Sequence, residues 1–468
     1  MLRFQNTLTG RLDPFEPVAP PRVGLYCCGP TVYTFAHIGN FRTFVFEDIL
    51  NRYLRSKGFD VNYVMNVTDI DDKTIRDSRA AGMSLSDFTK RYTATFLEDL
   101  ETLRVKRPDT LCPATEHIPE MEALVRNLLD KGLAYVSEGS VYFKIDAFPG
   151  YGKLSKKDFT GIRDGARVDS DEYEKENARD FVLWKGSREG EPSWEAPFGA
   201  GRPGWHLECS AMSLKYLGDS FDLHCGGTDL VFPHHENEIA QSEGATGKPF
   251  VKYWLHSEYL IVNGEKMSKS KGNFFTLRDL VARGHNPLAI RYLLLSVPYR
   301  KPLNFTEEGV GQAQAALDRI HDFVDTLGRK ALEPGETEAV AEACREFLHR
   351  FEEGLDDDLN TSAGLAALFD FIRENNRRLA EGGVRAGDRE RILQALRRID
   401  EVLDVLNPCR METPADDEAQ ILDLVRQREE ARRGKDWKRS DALRDALKNM
   451  GISIKDTPEG TVWKRERP

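Results

Sequence analysis

The sequence of 468 residues lacks the features of a membrane or secreted protein. No apolar run approaches the roughly 18 residues that a membrane-spanning helix needs, and residues 1–15 lack the apolar core of a secretory signal. The seven cysteines are odd in number and scattered, which is atypical of a disulfide framework. We therefore expect a protein without membrane association, located in the reducing cytoplasm.

Basic charge is also scarce, since 77 acidic residues outnumber 66 lysines and arginines and leave a net charge of −11. This balance argues against nonspecific nucleic-acid binding, which needs a basic field. Residues 426–448 differ, because nine basic residues surround Trp437 there. These residues predict a local basic surface on a protein whose net charge is negative.

A strand, helix and strand are predicted at residues 22–28, 41–57 and 61–67 from their apolar spacing. This order predicts a parallel sheet with a ligand crevice at the carboxyl ends of its strands. Further predicted elements are helices near 85–104 and 116–131, a hairpin at 134–145, a strand at 221–224, a helix from about 234, helices from 287 to about 405, and a linker at 408–419.

Neither a Walker A string nor GxGxxG occurs, so another device must hold any bound nucleotide. Two segments qualify. Residues 29–40 form a glycine-containing loop before a helix, whose first N–H groups and His37 can donate to phosphate. Residues 266–270, KMSKS, offer two ammonium groups and two hydroxyls. Alternatively, KMSKS is a solvated basic loop and His37 only caps the helix.

Four side chains are candidates for one metal ion, because thiolates, imidazole and carboxylate together suit zinc: Cys28, Cys209, His234 and Glu238. On a helix, His234 and Glu238 are four residues apart and share a face. The alternative for the two cysteines is that they are buried small hydrophobic residues.

Three neighbouring residues leave the ligand set open. His235 can replace His234, although its spacing of three residues to Glu238 makes it second in rank. Cys27 should point to the opposite side of its strand from Cys28, into the core. Cys225 is expected to line the pocket without binding.

Two of these segments in this order, 29–40 and 266–270, resemble the signatures of class I aminoacyl-tRNA synthetases. The candidate metal ligands, with TDIDDK at 68–73 and GRPGWH at 201–206, closely resemble those of the cysteinyl-tRNA synthetase family along essentially the whole chain. The resemblance implies an α/β fold with a Rossmann-type catalytic domain, a connective insertion, a helical bundle and a small C-terminal anticodon-binding domain. It also implies a monomer.

The domain boundaries implied in this way are 1–114 with 201–260 for the catalytic domain, 115–200 for the connective insertion, 261–310 for the stem-contact segment with KMSKS, 311–405 for the helical bundle and 420–468 for the anticodon-binding domain.

The resemblance also implies roles for individual residues. Catalytic roles fall to His37, Asn40, Lys266 and Lys269, with Gly39, Asp229 and both lysines binding ATP and its Mg²⁺. Zn²⁺ falls on Cys28, Cys209, His234 and Glu238, and Thr31, Trp205 and His224 line the substrate pocket.

Two of these roles have a competing interpretation or a departure from the family pattern. Asp229 can instead be a turn-forming residue. Asn40 stands where the family usually has a second histidine, so a hydrogen-bond donor is kept but a charged imidazolium is not available.

The implied activity is attachment of L-cysteine to tRNA(Cys) with ATP, through a cysteinyl-adenylate. Arg432, Trp437, Asp441 and Asp456 are expected to contact unpaired bases of the tRNA, unless Trp437 packs a small core instead. A related ligase of mycothiol biosynthesis shares the catalytic motifs but lacks the terminal unit. A non-catalytic zinc or RNA-binding module conflicts with the intact KMSKS.

Overall fold

The computed structural model describes residues 1–156, 180–268, 272–406, 415–450, 452–457 and 460–465. These residues divide into two compact units, Met1–Leu406 and Asn407–Pro468. Lys269, one of the two KMSKS lysines, lies outside the described residues.

Up to residue 268, the first unit contains β1 (Arg3–Asn6), β2 (Arg11–Pro14), β3 (Arg22–Cys27), α1 (Ile38–Ser56), β4 (Asp60–Val67), α2 (Asp72–Ala80), α3 (Leu85–Thr102), β5 (Thr110–Pro113), α4 (Ile118–Asp130), β6 (Ala134–Ser137), β7 (Ser140–Phe143), β8 (Phe181–Gly186), β9 (Gly201–Pro203), α5 (Trp205–Leu217), β10 (Phe221–Gly227), α6 (Glu236–Thr246), β11 (Val251–Ser257), β12 (Leu260–Val262) and β13 (Glu265–Lys266). The rest of this unit contains α7 (Leu277–Ala282), α8 (Pro287–Leu295), β14 (Leu303–Phe305), α9 (Glu307–Arg329), α10 (Glu338–Asp356), α11 (Thr361–Ala380) and α12 (Ala386–Leu403).

The central sheet has five parallel strands in the order β11-β10-β3-β4-β5. Strand β3, helix α1 and strand β4 form the predicted parallel unit, which is confirmed. Helix α1 presents a largely buried apolar face that includes Phe44, Val45 and Ile49. It ends before Gly58, whose φ of +88° lies in the left-handed region that glycine tolerates.

A second sheet of four antiparallel strands, in the order β6-β7-β8-β9, lies between β5 and α5 in the chain. The predicted hairpin at 134–145 is confirmed as β6 and β7. The rings of Phe143 and Phe181 stack at 5.0 Å across β7 and β8. The last strand of this sheet leads directly into α5, which carries two of the predicted site residues.

Beyond residue 287, the first unit is almost wholly helical, as predicted. Helix α10 packs against both α11 and α12. The exception is β14, which pairs in parallel with β12 and so joins the helical region to the segment that carries the KMSKS lysines.

In the second unit, Ile421, Val425, Leu447 and Ile452 form a small apolar core. The unit contains α13 (Ala415–Arg433), α14 (Trp437–Asn449), β15 (Ile452–Thr457) and β16 (Gly460–Arg465), and the two strands pair antiparallel. The predicted linker at 408–419 is wrong for its last part, because residues 415–419 already belong to α13. Its first part lies outside the described residues.

Candidate functional site

Four buried side chains converge near the carboxyl end of β3. The potential ligand atoms of Cys28, His234, His235 and Glu238 all lie within 4.8 Å of one another. Cys28 follows β3 directly, the two histidines lie in the turn before α6, and Glu238 lies in the first turn of α6. A sheet edge and a helix start thus build one polar cluster inside the protein.

Glu238 is at the centre of this cluster. Its Oε1 lies 3.1 Å from Nε2 of His234 and 3.9 Å from Nε2 of His235, and its Oε2 lies 2.9 Å from Nε2 of His224. The predicted shared face of His234 and Glu238 is therefore present. His235, ranked second from the sequence, also contacts Cys28, with 3.4 Å between its Nε2 and Sγ.

Cys209 approaches the cluster from α5. It is buried, burial raises the pKa of its thiol, and the nearby Cys28 thiol opposes that rise. It lies outside the group of four defined by the 4.8 Å limit. The structure thus groups three of the four predicted ligands with His235 and leaves Cys209 outside that group.

Burial keeps the charge of the cluster low. Burial raises the pKa of Glu238 to about 8, opposed by the nearby His234. Burial lowers the pKa of His234 to about 3, so its imidazole is neutral. Glu238 Oε1 is buried and accepts no hydrogen bond. Thiols, neutral imidazoles and an under-satisfied carboxylate fit a bound metal ion.

Two of the predicted pocket residues adjoin the cluster. The ring of Trp205 stacks on His234 at 4.2 Å, and that of His224 stacks on Trp254 at 4.5 Å. Thr31 lies further along the same edge, where it forms a backbone bridge with Thr68. Trp205 and His224 thus both contact the cluster, Trp205 through His234 and His224 through Glu238.

Sequence reasoning missed a second layer of histidines. His206 Nδ1 lies 2.9 Å from His234 Nδ1, and His256 Nε2 lies 2.8 Å from His235 Nδ1. These contacts orient both imidazoles of the cluster. Alternation along β11 was an available signal, because Trp254 and His256 lie two residues apart and share a face of that strand.

The predicted phosphate loop leads into α1. His37 is the N-cap of this helix: Asn40 N donates to His37 Nδ1 at 3.2 Å, and His37 N donates to Asn40 Oδ1 at 3.0 Å. The capping role of His37 considered from the sequence is thus observed. Its partner is Asn40, the residue that stands where the resemblance led us to expect a second histidine. The N–H groups of the first turn lie next to this cap.

Residues just after KMSKS contact this loop. The backbone N of Ile38 donates to the Phe275 carbonyl at 2.9 Å, and the ring of His37 packs edge-on against Phe274. Lys266 is exposed at the end of β13. Partial burial raises the pKa of Asp229, and the nearby Lys266 ammonium opposes that rise. Residues that follow KMSKS therefore lie against the predicted phosphate loop, and Lys266 lies near Asp229.

In the second unit, Trp437 opens α14 and is 59% exposed. The alternative that it packs a core is therefore wrong. Arg432 lies in the last turn of α13 and Asp441 lies on α14. Asp456 belongs to β15, and its side chain is outside the described residues.

None of the helices in the described part of the chain is both long and apolar enough to cross a membrane.

Three family models match consecutive parts of the chain. Residues 14–315 match the catalytic domain of class I (C) tRNA synthetases, residues 350–407 match the DALR domain, and residues 416–463 match the anticodon binding domain of cysteinyl-tRNA ligases. The last match lies within the second unit.

Full-length relatives and solved structures agree with these matches. The chain is 51% identical to a cysteine–tRNA ligase of Solibacter usitatus, covering 99% of this chain and 100% of the relative. It is 48% identical to one of Chlamydia muridarum, covering 99% of each. The fold is similar to that of the methionyl-tRNA synthetase of Mycobacterium tuberculosis with methionyl-adenylate, with a TM-score of 0.59, 16% identity and coverage of 82% of this chain and 90% of that one.

Proposed function

The chain belongs to the cysteine–tRNA ligase family of class I synthetases, and we propose that a zinc ion selects its substrate by the thiol. The protein attaches L-cysteine to tRNA(Cys) with ATP, through a cysteinyl-adenylate. The observation that carries the zinc proposal is the buried group of Cys28, His234, His235 and Glu238, with Trp205 stacked on His234 and His224 in contact with Glu238.

The proposed zinc ligands are Cys28, Cys209, His234 and Glu238. His235 remains an alternative to His234, since its imidazole contacts Cys28. When bound, zinc supplies a soft Lewis acid that favours a substrate thiolate over the hydroxyl of serine. A purely apolar pocket would separate two such similar side chains only by about two orders of magnitude. Selection by the metal thus explains how cysteine can be distinguished from serine in a single binding step.

The first chemical step joins the cysteine carboxylate to the α-phosphate of ATP and releases pyrophosphate. The substrate carboxylate is the nucleophile, so the protein needs to position ATP and stabilise charge rather than supply a nucleophile. We assign this role to the N-terminus of α1 with His37, Gly39 and Asn40, and to Lys266 and Lys269. Asp229 is proposed to hold the ribose, and Mg²⁺ to accompany the phosphates.

The second step transfers the cysteinyl group to the terminal ribose of the tRNA. The second unit is proposed to read unpaired bases with Arg432, Trp437, Asp441 and Asp456. The exposed ring of Trp437 supports a stacking role, because an aromatic face that packs no core is available to a base. Location in the cytoplasm and a monomeric state complete the proposal, together with the domain boundaries given above.

A charging assay tests the proposal directly. Purified protein and ATP are incubated with total tRNA and labelled cysteine in one reaction, and with total tRNA and labelled serine in a second. A third reaction contains labelled cysteine and an amino-sugar acceptor in place of tRNA. We expect label on tRNA with cysteine alone. Label on the amino sugar and none on tRNA would identify the related ligase instead, and charging with serine would refute selection by the thiol.

A further inference from the structure

The side chain of Asn273 links two residues of the KMSKS segment. Its Oδ1 accepts a hydrogen bond from the backbone N of Ser268 at 2.8 Å, and its Nδ2 donates to the carbonyl of Lys266 at 3.3 Å. A carboxamide can make both bonds at once, because it accepts with one atom and donates with the other. Asn273 therefore fixes the backbone on both sides of Met267.

The residues that follow Asn273 are docked on the phosphate loop and the start of α1. The ring of Phe274 lies edge-on to that of His37, with 5.3 Å between the ring centroids. The carbonyl of Phe275 accepts from the backbone N of Ile38, the first residue of α1, at 2.9 Å. Asn273 thus connects a segment held against α1 to the backbone that carries the first KMSKS lysine.

Lys266 lies beside the proposed ATP site. It ends β13, which pairs with β12, and its ammonium is near Asp229. The neighbouring Met267 reaches the start of α1, since a Cβ placed on Gly39 would lie 3.3 Å from the Cε of Met267. A lysine carries its charge at the end of a flexible stem, so the position of its backbone limits where the ammonium can reach. The carbonyl that Asn273 holds belongs to the residue whose placement matters for the phosphates.

We infer that Asn273 is a positioning residue for the formation of cysteinyl-adenylate and that it acts through Lys266. By joining the backbone of Lys266 to the segment docked on α1, it holds the ammonium where pyrophosphate leaves. The inference rests on the proposed role of Lys266 in stabilising the departing pyrophosphate. Asn273 itself need not touch ATP, because displacement of the charged group that it holds is already costly to the reaction.

Asn273→Ala is the decisive variant, because it removes both hydrogen bonds and adds no atoms. We expect kcat for cysteine-dependent ATP–pyrophosphate exchange to fall about tenfold. KM for cysteine should stay within about twofold of the wild type, because the candidate metal centre is untouched. The thermal midpoint should stay within about 2 °C of the wild type, since Asn273 is only half-buried.

A double variant separates positioning from a general effect on folding. Lys266→Ala alone is expected to slow exchange about 100-fold. If Asn273 acts through Lys266, adding Asn273→Ala should slow exchange less than about twofold further, because the group that it positions is already gone. Independent effects of the two substitutions would multiply, and exchange would then fall about tenfold further.

Asn304→Ala is the matched control. Asn304, exposed on β14, makes the same kind of contact to the same hairpin, since its Oδ1 accepts from the backbone N of Gly264 at 2.8 Å in the turn between β12 and β13. This contact fixes the turn and not the carbonyl of Lys266. Exchange by Asn304→Ala should therefore stay within about twofold of the wild type.

Exchange by Asn273→Ala within about twofold of the wild type would overturn the inference. So would an equal loss with Asn304→Ala, which would assign the effect to the hairpin as a whole. A loss of about tenfold on top of Lys266→Ala would also overturn it, because Asn273 would then act independently of that lysine. Failure of the proposed function looks different: the wild-type protein would show no cysteine-dependent exchange, or Lys266→Ala would exchange at the wild-type rate.

Discussion

The Sγ of Cys28 lies 3.4 Å from Nε2 of His235, which is within hydrogen-bonding distance for sulfur. Both neighbouring histidines therefore reach the candidate metal centre, His234 through Glu238 and His235 through Cys28. The metal content of variants distinguishes which of the two histidines is the zinc ligand.

We predict that the purified protein contains one zinc ion per chain. Cys209→Ser and His234→Asn should each lower zinc content strongly, because each removes a proposed ligand. His235→Asn should keep most of the zinc, because its amide can replace one hydrogen bond to His256. Inductively coupled plasma mass spectrometry after dialysis measures the content. If zinc content fell with His235→Asn and not with His234→Asn, His235 and not His234 would be the zinc ligand.

The buried acid Glu47 on α1 should make stability depend on pH. Burial raises the pKa of this carboxyl, and the thiol of Cys27 opposes that rise only in part. Its pKa in the unfolded chain is about 4.3. The free energy of unfolding should therefore fall as pH rises above that value towards the raised folded pKa. Glu47→Gln should remove this component, and its thermal midpoint should exceed that of the wild type at pH 8 by about 2 °C or more.

Thermal denaturation of both proteins at pH 5 and pH 8 tests this expectation. The advantage of Glu47→Gln should be larger at pH 8. An advantage of the same size at both pH values would show that the carboxylate is not the cause.

The two KMSKS lysines should act on the chemical step. Lys266→Ala and Lys269→Ala should each slow cysteine-dependent ATP–pyrophosphate exchange about 100-fold, because each removes a positive charge that stabilises the departing pyrophosphate. KM for cysteine should change little. Steady-state exchange kinetics measure both quantities, and a higher KM with unchanged kcat would assign these lysines to ground-state binding.

Asn40 should contribute to stability through the cap of α1. Asn40→Ala removes the acceptor for the His37 N–H and should cost about 1 kcal/mol in the free energy of unfolding, measured with urea. Asn40→Asp keeps a carboxyl oxygen at that place and should be at least as stable as the wild type. Equal destabilisation by both variants would contradict the capping role.

Removal of residues 407–468 should separate activation from charging. The division into two units at Leu406 places the whole sheet and the candidate metal centre in the retained part. Exchange should therefore persist, while charging of tRNA(Cys) should fall by at least about 100-fold in kcat/KM. Trp437→Ala in the full-length chain is the milder companion, expected to lose about 1–3 kcal/mol of tRNA binding free energy. Normal charging by the truncated protein would contradict the proposed role of the second unit.

Strong local patterns made much of the fold predictable. Strand β3, helix α1 and strand β4 follow from apolar spacing and from the glycine after α1. The hairpin of β6 and β7 follows from alternation. Helix α2 was not predicted, because its nine residues are mostly polar and its capping by Asp71 is the main signal. The start of α13 was missed for a similar reason, since ADDEA reads as a polar linker.

The candidate site was predictable as a set of residues but not as a geometry. Cys28 and Cys209 lie 181 positions apart, and only the approach of α5 to β3 brings their thiols together. The contact of His206 with His234 depends on ring orientations that no spacing encodes, whereas alternation along β11 places His256 on the same face as Trp254. His235 was ranked by ideal helix geometry, whereas the turn at Val231–His235 departs from that geometry at Phe232, with φ −144° and ψ 130°.

The cap of α1 decides how His37 presents itself to a ligand. Its Nδ1 accepts the Asn40 N–H, so in the neutral ring the proton is carried by Nε2. The asparagine side chain in turn fixes the backbone of His37, which limits the orientations the ring can adopt. The helix start therefore favours one tautomer, in which the Nε2–H is the hydrogen-bond donor of the His37 ring.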